Sequence, residues 1–202
     1  MRFLSFRKPR SRRPNGRPRL GRFGNLMLVI LLFGVCALLA ARLERLGMVQ
    51  LAGTAVVHDG DTVTLAGERI RLSGIDAFEK DQTCERGGQR YACGREAEAH
   101  LLRLAAGSNL VCEGTRRDRY GRLLAVCRAG GIDLNREMVA AGWAIAYGDY
   151  GAEELAAQLN HRGAWQGEFA KPQEWRATNG RPTENQHNLL GWLLEKVSGF
   201  LL

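Results

Sequence analysis

The sequence lacks the residue spacings from which protein zinc sites are built. None of its five cysteines forms a Cys-x-x-Cys pair, and its four histidines are scattered along the chain. Structural zinc sites need closely spaced cysteine and histidine ligands, so the sequence does not support one. The 202 residues also contain no internal repeat. That length is enough for one domain plus appendages.

Acidic residues are absent from the first 22 positions, which hold nine of the 29 basic side chains. The remaining 20 basic residues are balanced by 21 acidic ones, so the net charge of +8 resides in this N-terminal arm. The rest of the chain is almost neutral. Any affinity for a polyanion must therefore come from a local patch or a bound cation rather than from overall charge.

Charge of either sign is absent from Phe23–Ala41. Nineteen helical residues extend roughly 28 Å, about the thickness of the bilayer core. Because arginine-rich flanks stay in the cytoplasm, we predict a cytoplasmic basic arm (1–22) and a transmembrane signal-anchor (23–41). The protein is then a single-pass protein of the bacterial inner membrane, with its domain facing the periplasm or cell exterior. Two alternatives are a cleaved signal peptide, although no clean Ala-x-Ala site precedes Arg42, and a nucleic-acid-binding arm.

Four cysteines follow the apolar run, and an even number in an exported domain indicates two disulfides with three possible connectivities. Sequence neighbours favour Cys84–Cys93, which closes a loop, and Cys112–Cys127, which joins two adjacent strands. The alternative is four reduced, partly buried thiols.

Residue patterns predict five strands and three helices. The strands are Thr54–His58, Asp61–Leu65, Arg69–Ser73, Asn109–Glu113 and Leu123–Arg128; the helices are Arg95–Ala106, Leu134–Ala141 and Glu153–Arg162. A strong hairpin signal, Asp59-Gly60, separates the first two strands. A helix between the third and fourth of five strands is the pattern of the OB-fold barrel. We therefore expect an α+β, mainly β, fold: a five-stranded OB-fold barrel with three helices, preceded by one transmembrane helix.

The remaining segments set the predicted domain boundaries. A linker (42–53) precedes the OB-fold domain (54–176), whose final aromatic segment, Ala164–Arg176, is expected to pack on the domain. A polar linker and a short apolar helix, Leu189–Leu202, make up 177–202. That helix is too short to span a bilayer. It either packs against the domain or a partner, or lies in the membrane interface.

An ordered set of charged residues occupies about sixty positions of the predicted domain. Its members are Asp59, Asp61, Arg71, Asp76, Glu79, Asp118 and Arg122. It combines carboxylates that can hold a hard cation, a carboxylate that can act as a base, and arginines. A cation polarises a phosphate, a base activates water and guanidinium groups hold the charge of the transition state. The set therefore indicates phosphodiester cleavage.

Four motifs in this set resemble the signature blocks of the staphylococcal nuclease (thermonuclease) family. They read Asp59-Gly60-Asp61-Thr62, Ile70-Arg71-Leu72, Gly74-Ile75-Asp76-Ala77-Phe78-Glu79 and Asp118-Arg119-Tyr120-Gly121-Arg122. Further matches run from Leu134-Asn135 to Gly167-Glu168-Phe169, so the resemblance covers about Thr54–Arg176. A single block would be weak, whereas four in order are specific. The resemblance implies an OB-fold nuclease that cleaves DNA and RNA with one Ca²⁺.

The resemblance also implies a set of cation ligands. Asp61 and Asp76 would bind Ca²⁺ through their carboxylates and Ala77 through its backbone carbonyl, an oxygen-only set of the kind that a hard cation prefers. Asp59 would contact the ligand residues without binding the cation itself.

Catalytic and substrate-binding roles follow from the same resemblance. Glu79 would be the general base, and Arg71 and Arg122 would clamp the phosphate with paired hydrogen bonds. Candidates for the nucleotide pocket are Arg119, Tyr120, Tyr147 and Tyr150, with the tyrosines offering faces for base stacking. The expected substrate is single-stranded or frayed DNA and RNA, cut at the 5′-oxygen to leave 3′-phosphates. No obligate protein partner is implied.

Phe78 is the main departure from the family pattern, which normally has proline there. Proline fixes its own φ and restrains the preceding residue, so its loss predicts a looser loop around Ala77 and Glu79, and reduced but not abolished activity. An insertion at Lys80–Gly94 would compensate for the lost restraint if a Cys84–Cys93 disulfide constrains it. The alternative function is a catalytically weak OB-fold module that binds nucleic acid or serves as a scaffold in the cell envelope, for instance in polysaccharide production.

Overall fold

A computed structural model of the protein describes residues 22–181, which divide into two compact units at the Ala41/Arg42 boundary. Helix α1 (Arg22–Gly47) begins in the first unit and crosses this boundary, and it contains Gly24–Arg42, a 19-residue stretch of mean hydropathy 2.4. By length and composition this helix could cross a membrane. The predicted apolar helix is thus confirmed. The basic arm before Arg22 and the C-terminal helix candidate lie outside the described residues.

The second unit is built on a curled, seven-stranded sheet. Its strands are β1 (Val49–Gly53), β2 (Ala55–Val57), β3 (Thr62–Leu65), β4 (Glu68–Leu72), β8 (Leu110–Arg117), β9 (Leu123–Ala129) and β10 (Ile132–Asp133). The order is β1-β8-β9-β4-β3-β2, with β10 added to β9. Only β4 and β9 run parallel among these pairs. The sheet forms the partial barrel of an OB-like fold, so the predicted α+β, mainly β, class is confirmed.

Two small sheets lie outside the barrel. Strands β5 (Ile75–Ala77) and β11 (Ala144–Ala146) pair antiparallel, and β6 (Cys84–Arg86) forms a hairpin with β7 (Gln89–Tyr91). No strand was predicted within Ile75–Gly94 or at Ala144–Ala146, so these four strands are additions to the predicted fold. Residues 42–53 also differ from the predicted linker, since α1 continues to Gly47 and β1 pairs with β8.

Four helices complete the second unit. They are α2 (Cys93–Ala105), α3 (Leu134–Ala140), α4 (Gly151–Leu159) and α5 (Pro172–Thr178), with a 3₁₀ turn at Gly163–Gln166. The first three agree with the predicted helices. The aromatic segment predicted to pack on the domain contains the 3₁₀ turn and most of α5.

The core fills the space between the curled sheet and helices α2 and α3. Alternating strand residues point into it, as expected for a sheet with one buried face. Its largest fully buried aliphatic side chains are Val63, Leu65, Ile70, Leu72, Ile75, Leu101, Leu110, Leu123, Leu134 and Met138. The amide of buried Asn135 ties three backbone groups together: Oδ1 accepts from the Cys127 N–H, and Nδ2 donates to the Ser73 and Ala125 carbonyls.

Both predicted disulfides are present. Cys84–Cys93 joins β6 to the first residue of α2, and Cys112–Cys127 links directly opposite residues of β8 and β9. The first bond therefore closes the loop after Glu79, and the second fastens two neighbouring strands of the barrel.

Candidate active site

Three sheet elements bring Asp61, Arg71 and Asp76 together. Asp61 immediately precedes β3, Arg71 lies opposite Thr62 on β4, and Asp76 is the middle residue of β5. The turn before β3 is held by Asp59, whose Oδ1 accepts from the Asp61 N–H at 3.0 Å. Gly60 allows this turn to approach β5 closely, because an added Cβ there would lie 2.7 Å from the Cβ of Ala77.

Arg71 bridges the two aspartates. Its Nη1 donates to Asp61 Oδ1 at 2.8 Å and its Nη2 to Asp76 Oδ1 at 2.9 Å. All three side chains are buried. Burial raises the pKa of Asp61 to about 8, an effect that Arg71 opposes and the carboxylates of Asp59 and Asp76 reinforce. Additional positive charge close to Asp61 would therefore stabilise the ionised form of its carboxyl group.

Glu79 lies at the edge of the same network. Its carboxylate remains a quarter exposed, unlike those of Asp61 and Asp76. Its backbone N–H donates to the side-chain oxygen of buried Gln82 at 3.1 Å. Glu79 is thus the solvent-facing carboxylate of the group.

Arg176 enters the site from α5. Its Nη1 and Nη2 donate to Asp76 Oδ1 and Oδ2 at 3.0 and 2.8 Å, and Nη1 also donates to Glu79 Oε1 at 2.7 Å. Arg181 lies 3.6 Å from Glu79 Oε2. Arg176 was not among the predicted site residues, because it lies 100 residues from Asp76 and its local sequence does not distinguish it from an exposed arginine.

Arg122 reaches the site from the turn between β8 and β9. Asp118 shapes this turn, because its Oδ1 accepts from the N–H groups of Tyr120 and Arg122, while its Oδ2 accepts from Arg122 Nε at 2.6 Å. Arg122 Nη1 lies 3.5 Å from Thr62 Oγ1, which itself donates to Asp61 Oδ1. The predicted guanidinium therefore adjoins the buried carboxylates through Thr62.

The candidate substrate-binding residues occupy three different environments. Tyr120 is half exposed, with the guanidinium carbons of Arg119 and Arg122 at 4.8 and 5.3 Å from its ring centre. Tyr147 hydrogen-bonds Arg71, and burial raises its pKa to about 12. Tyr150 instead donates to Asp133 and packs beside Gly74. The structure thus connects Tyr120 and Tyr147 to the site arginines and gives Tyr150 a packing contact.

A cleft of about 270 Å³ adjoins Tyr147. Its wall includes Arg116 and Arg128 but also Glu113 and Asp149, and Arg128 pairs with Glu113 at 3.4 Å. The charges that line the cleft therefore balance. The half-exposed ring of Tyr120 beside Arg119 and Arg122 is the basic and aromatic surface that an almost neutral domain needs to bind a polyanion.

The residues assigned to Ca²⁺ by resemblance fit a hard cation in their donor chemistry. Asp61 and Asp76 offer carboxylate oxygens, and Ala77 follows Asp76 directly on β5 and donates its N–H to Asp61 Oδ2. Asp61 Oδ2 and Asp76 Oδ2 accept hydrogen bonds from Ala77 and Arg176, respectively. A carboxylate oxygen has two lone pairs, so one such bond does not exhaust either atom.

Comparison with known proteins agrees with this geometry. Residues 69–166 match the family described as staphylococcal nuclease homologue. The succinoglycan biosynthesis protein ExoI of Rhizobium meliloti (strain 1021) is 40% identical over 124 residues, 57% of this chain and 64% of that protein. An "uncharacterized endonuclease" of Escherichia coli O157:H7 is 34% identical over 120 residues, 54% and 72% of the two chains. Another, of Haemophilus influenzae (strain ATCC 51907 / DSM 11121 / KW20 / Rd), is 33% identical over 132 residues, 59% and 69%.

The family match begins within β4 and ends in the 3₁₀ turn, so it includes Arg71, Asp76, Glu79 and Arg122 but not Asp61. The aligned stretch is less than two thirds of the Rhizobium meliloti protein but more than two thirds of the Escherichia coli and Haemophilus influenzae proteins, each over 30% identical. The chain therefore belongs to the staphylococcal nuclease homologue family.

Proposed function

We propose that this protein is a Ca²⁺-dependent phosphodiesterase that hydrolyses single-stranded or frayed DNA and RNA. One observation carries the proposal: Asp61, Arg71, Asp76 and Glu79 lie in a single hydrogen-bonded network that Arg122 adjoins. Relatives named as endonucleases support the same reaction class. The three kinds of group required for phosphodiester hydrolysis thus meet at one place.

The cation would be held by Asp61, Asp76 and the carbonyl of Ala77. When bound, it would neutralise phosphate charge and polarise the phosphorus–oxygen bonds. Oxygen ligands and two buried carboxylates favour Ca²⁺ over softer metals.

Glu79 is proposed as the general base because its side chain is more exposed to solvent than those of Asp61 and Asp76. It would take a proton from a water molecule whose oxygen bonds to phosphorus. The bond from phosphorus to the 5′-oxygen breaks, that oxygen takes a proton from solvent water, and the products are a 3′-phosphate and a 5′-hydroxyl. Arg71 and Arg122 would stabilise the charge that develops on the phosphate oxygens.

Substrate binding is assigned to the surface around Tyr120 and Tyr147. An exposed tyrosine flanked by Arg119 offers a stacking face beside positive charge, a combination that binds unpaired bases with little sequence preference. Tyr150 is retained as a weaker candidate, since its hydroxyl is already bonded to Asp133.

We place the domain outside the cytoplasm, anchored by Gly24–Arg42. The basic residues before this stretch favour a cytoplasmic N-terminus. The two disulfides support an oxidising compartment such as the periplasm or cell exterior. A cleaved signal sequence would leave the same domain in the same compartment.

Substitutions at Glu79 and Arg122 test the assigned roles. In full-length protein purified in detergent, we expect Glu79→Gln and Arg122→Ala to lower kcat on single-stranded DNA by on the order of 10²–10³-fold. An exposed control, Arg103→Ala on α2, should retain wild-type kcat. Wild-type products should carry 3′-phosphates. Unchanged kcat in a folded Glu79→Gln protein would overturn the assignment of the base.

A scaffold role in the cell envelope is the second candidate. The relative from Rhizobium meliloti bears the name of a succinoglycan biosynthesis protein, and Arg71 and Arg176 already neutralise much of the carboxylate charge. A scaffold predicts no DNA hydrolysis under any metal condition and copurification with other envelope proteins. Ca²⁺-dependent hydrolysis that Glu79→Gln removes would exclude it as the only role.

A further inference from the structure

The segment Gly163–Arg181 packs over the loop that carries Glu79. We call this segment the brace. Phe78, which stands where the family pattern has proline, is 1% exposed and packs edge-to-face against Phe169 at 5.0 Å. Phe169 in turn contacts the ring of Trp165 at 4.8 Å. The aromatic side chain at 78 therefore gains a packed environment that a proline ring would fill only in part.

Hydrogen bonds fasten the brace to the same loop. Glu85 and Glu168 exchange two backbone hydrogen bonds, of 2.9 and 3.0 Å. Gln82 is fully buried and donates from Nε2 to the Ala170 carbonyl at 2.7 Å, while its Oε1 accepts from the Glu79 N–H. Gln82 thus connects the brace directly to the backbone of Glu79.

Arg176 is the point at which the brace meets the carboxylates. Its side chain is 5% exposed. Its planar fork holds both oxygens of Asp76, and one of its nitrogens also holds Glu79. Two parallel bonds from one guanidinium fix orientation as well as distance. A buried guanidinium with these partners is a fixed part of the site, because leaving the carboxylates unpaired would be costly.

The start of α5 determines where Arg176 points. Pro172 occupies the first helical turn, and the Glu174 carboxylate accepts from the Lys171 N–H at 3.2 Å. Proline preset for a helix and a glutamate that returns to the N-cap are two devices that fix helix starts. These local contacts fix where α5 begins, and they do not involve the carboxylates that Arg176 contacts.

We propose that Arg176 is a positioning residue, which holds Asp76 and Glu79 in the mutual orientation that hydrolysis requires while the brace fixes the Phe78 loop. The inference rests on the proposed function. In this proposal, contacts from residues about 90 to 100 positions away supply the restraint that proline gives in the family pattern. Catalytic geometry is sensitive to displacements of about 1 Å, so the effect appears in kcat.

Arg176→Ala and Arg176→Lys in the full-length protein test the proposal. We expect Arg176→Ala to lower kcat by about 10²-fold, with KM for a single-stranded oligonucleotide changed less than about threefold. Arg176→Lys keeps the charge but not the fork, so its kcat should be intermediate. Millimolar guanidinium ion should partly restore Arg176→Ala and leave wild type unaffected. Arg136→Ala is the matched control, since Arg136 is an exposed arginine whose Nε lies 3.4 Å from Glu153 Oε1.

Hydrogen exchange supplies a readout that does not depend on activity. Without added metal, Arg176→Ala should accelerate amide exchange in residues 76–82 and leave the barrel strands protected as in wild type. An active wild type with unchanged or higher kcat in Arg176→Ala would overturn the positioning role, and a gain would identify the guanidinium as a blocking group. If Arg176→Ala does not fold, a wild-type kcat in Arg176→Lys would refute the claim that the paired hydrogen bonds of the guanidinium are required. An inactive wild type would instead refute the proposed function, and the positioning role with it.

Discussion

A substitution at Gly94 tests how precisely Glu79, the proposed general base, must be positioned. It is the second residue of α2, beside the disulfide-bonded Cys93, and its N–H donates to the Gln82 carbonyl at 3.2 Å. A Cβ added at Gly94 would lie 2.6 Å from the carbonyl carbon of Glu79 and closer still to its oxygen. Carbon atoms in contact are about 3.5–4.0 Å apart. The Glu79 backbone or the start of α2 must therefore move by at least about 1 Å in Gly94→Ala.

A displacement of that size predicts a loss of about 10²-fold in kcat/KM, equal to about 2.7 kcal/mol of transition-state stabilisation. Overpacking should also lower the free energy of unfolding by about 1–3 kcal/mol. The assay is hydrolysis of a single-stranded oligonucleotide, with thermal unfolding measured on the same samples.

Gly151→Ala is the matched control, because a methyl group added there meets nothing within 4 Å. Its kcat/KM and unfolding temperature should stay close to wild type. A folded Gly94→Ala protein with kcat/KM within threefold of wild type would refute the claim that this helix–loop contact positions Glu79.

Two further predictions concern stability. The double variant Cys112→Ala/Cys127→Ala should lower the free energy of unfolding by about 3 kcal/mol, because the disulfide joins residues that are 15 positions apart. Denaturant titration, compared with the oxidised wild-type protein, measures this loss. A loss under about 1 kcal/mol would contradict the prediction. Asn135→Leu removes three buried hydrogen bonds to backbone groups and should cost about 3 kcal/mol or more. The same titration applies, and a neutral effect would mean that those backbone groups find other partners.

The barrel was predictable because its strands carry regular signals. Ile70 and Leu72 alternate with charged residues, and Asp59-Gly60 marks the first turn, so β2, β3 and β4 were found within one or two residues. The two disulfides also followed from spacing. Local pattern and turn chemistry agree with the fold in this part of the chain.

The missed elements carry no such pattern. Strand β5 has only three residues, Ile75–Ala77, and all three are buried, so its sequence shows no alternation of buried and exposed positions. Val49–Gly53 follows the apolar helix closely and becomes a strand only because β8 offers an edge to pair with. Short strands of this kind are specified by tertiary context rather than by intrinsic propensity.

The site was predictable only in its motif residues. Asp61, Arg71, Asp76, Glu79 and Arg122 came from the family resemblance, and the structure brings them together. Their catalytic roles remain predictions. Arg176 was not found, because its contact with Asp76 depends on the path of the chain through α5 and not on any spacing in the sequence.

Metal dependence of the wild-type protein tests the central claim most directly. Full-length protein in detergent, with its disulfides oxidised, would be assayed on single-stranded DNA in a Ca²⁺ series and in EGTA, beside Glu79→Gln prepared identically. The account predicts hydrolysis that rises with Ca²⁺, disappears in EGTA and is lost in Glu79→Gln. Equal hydrolysis in Ca²⁺ and EGTA, or none in a folded wild-type protein, would contradict it.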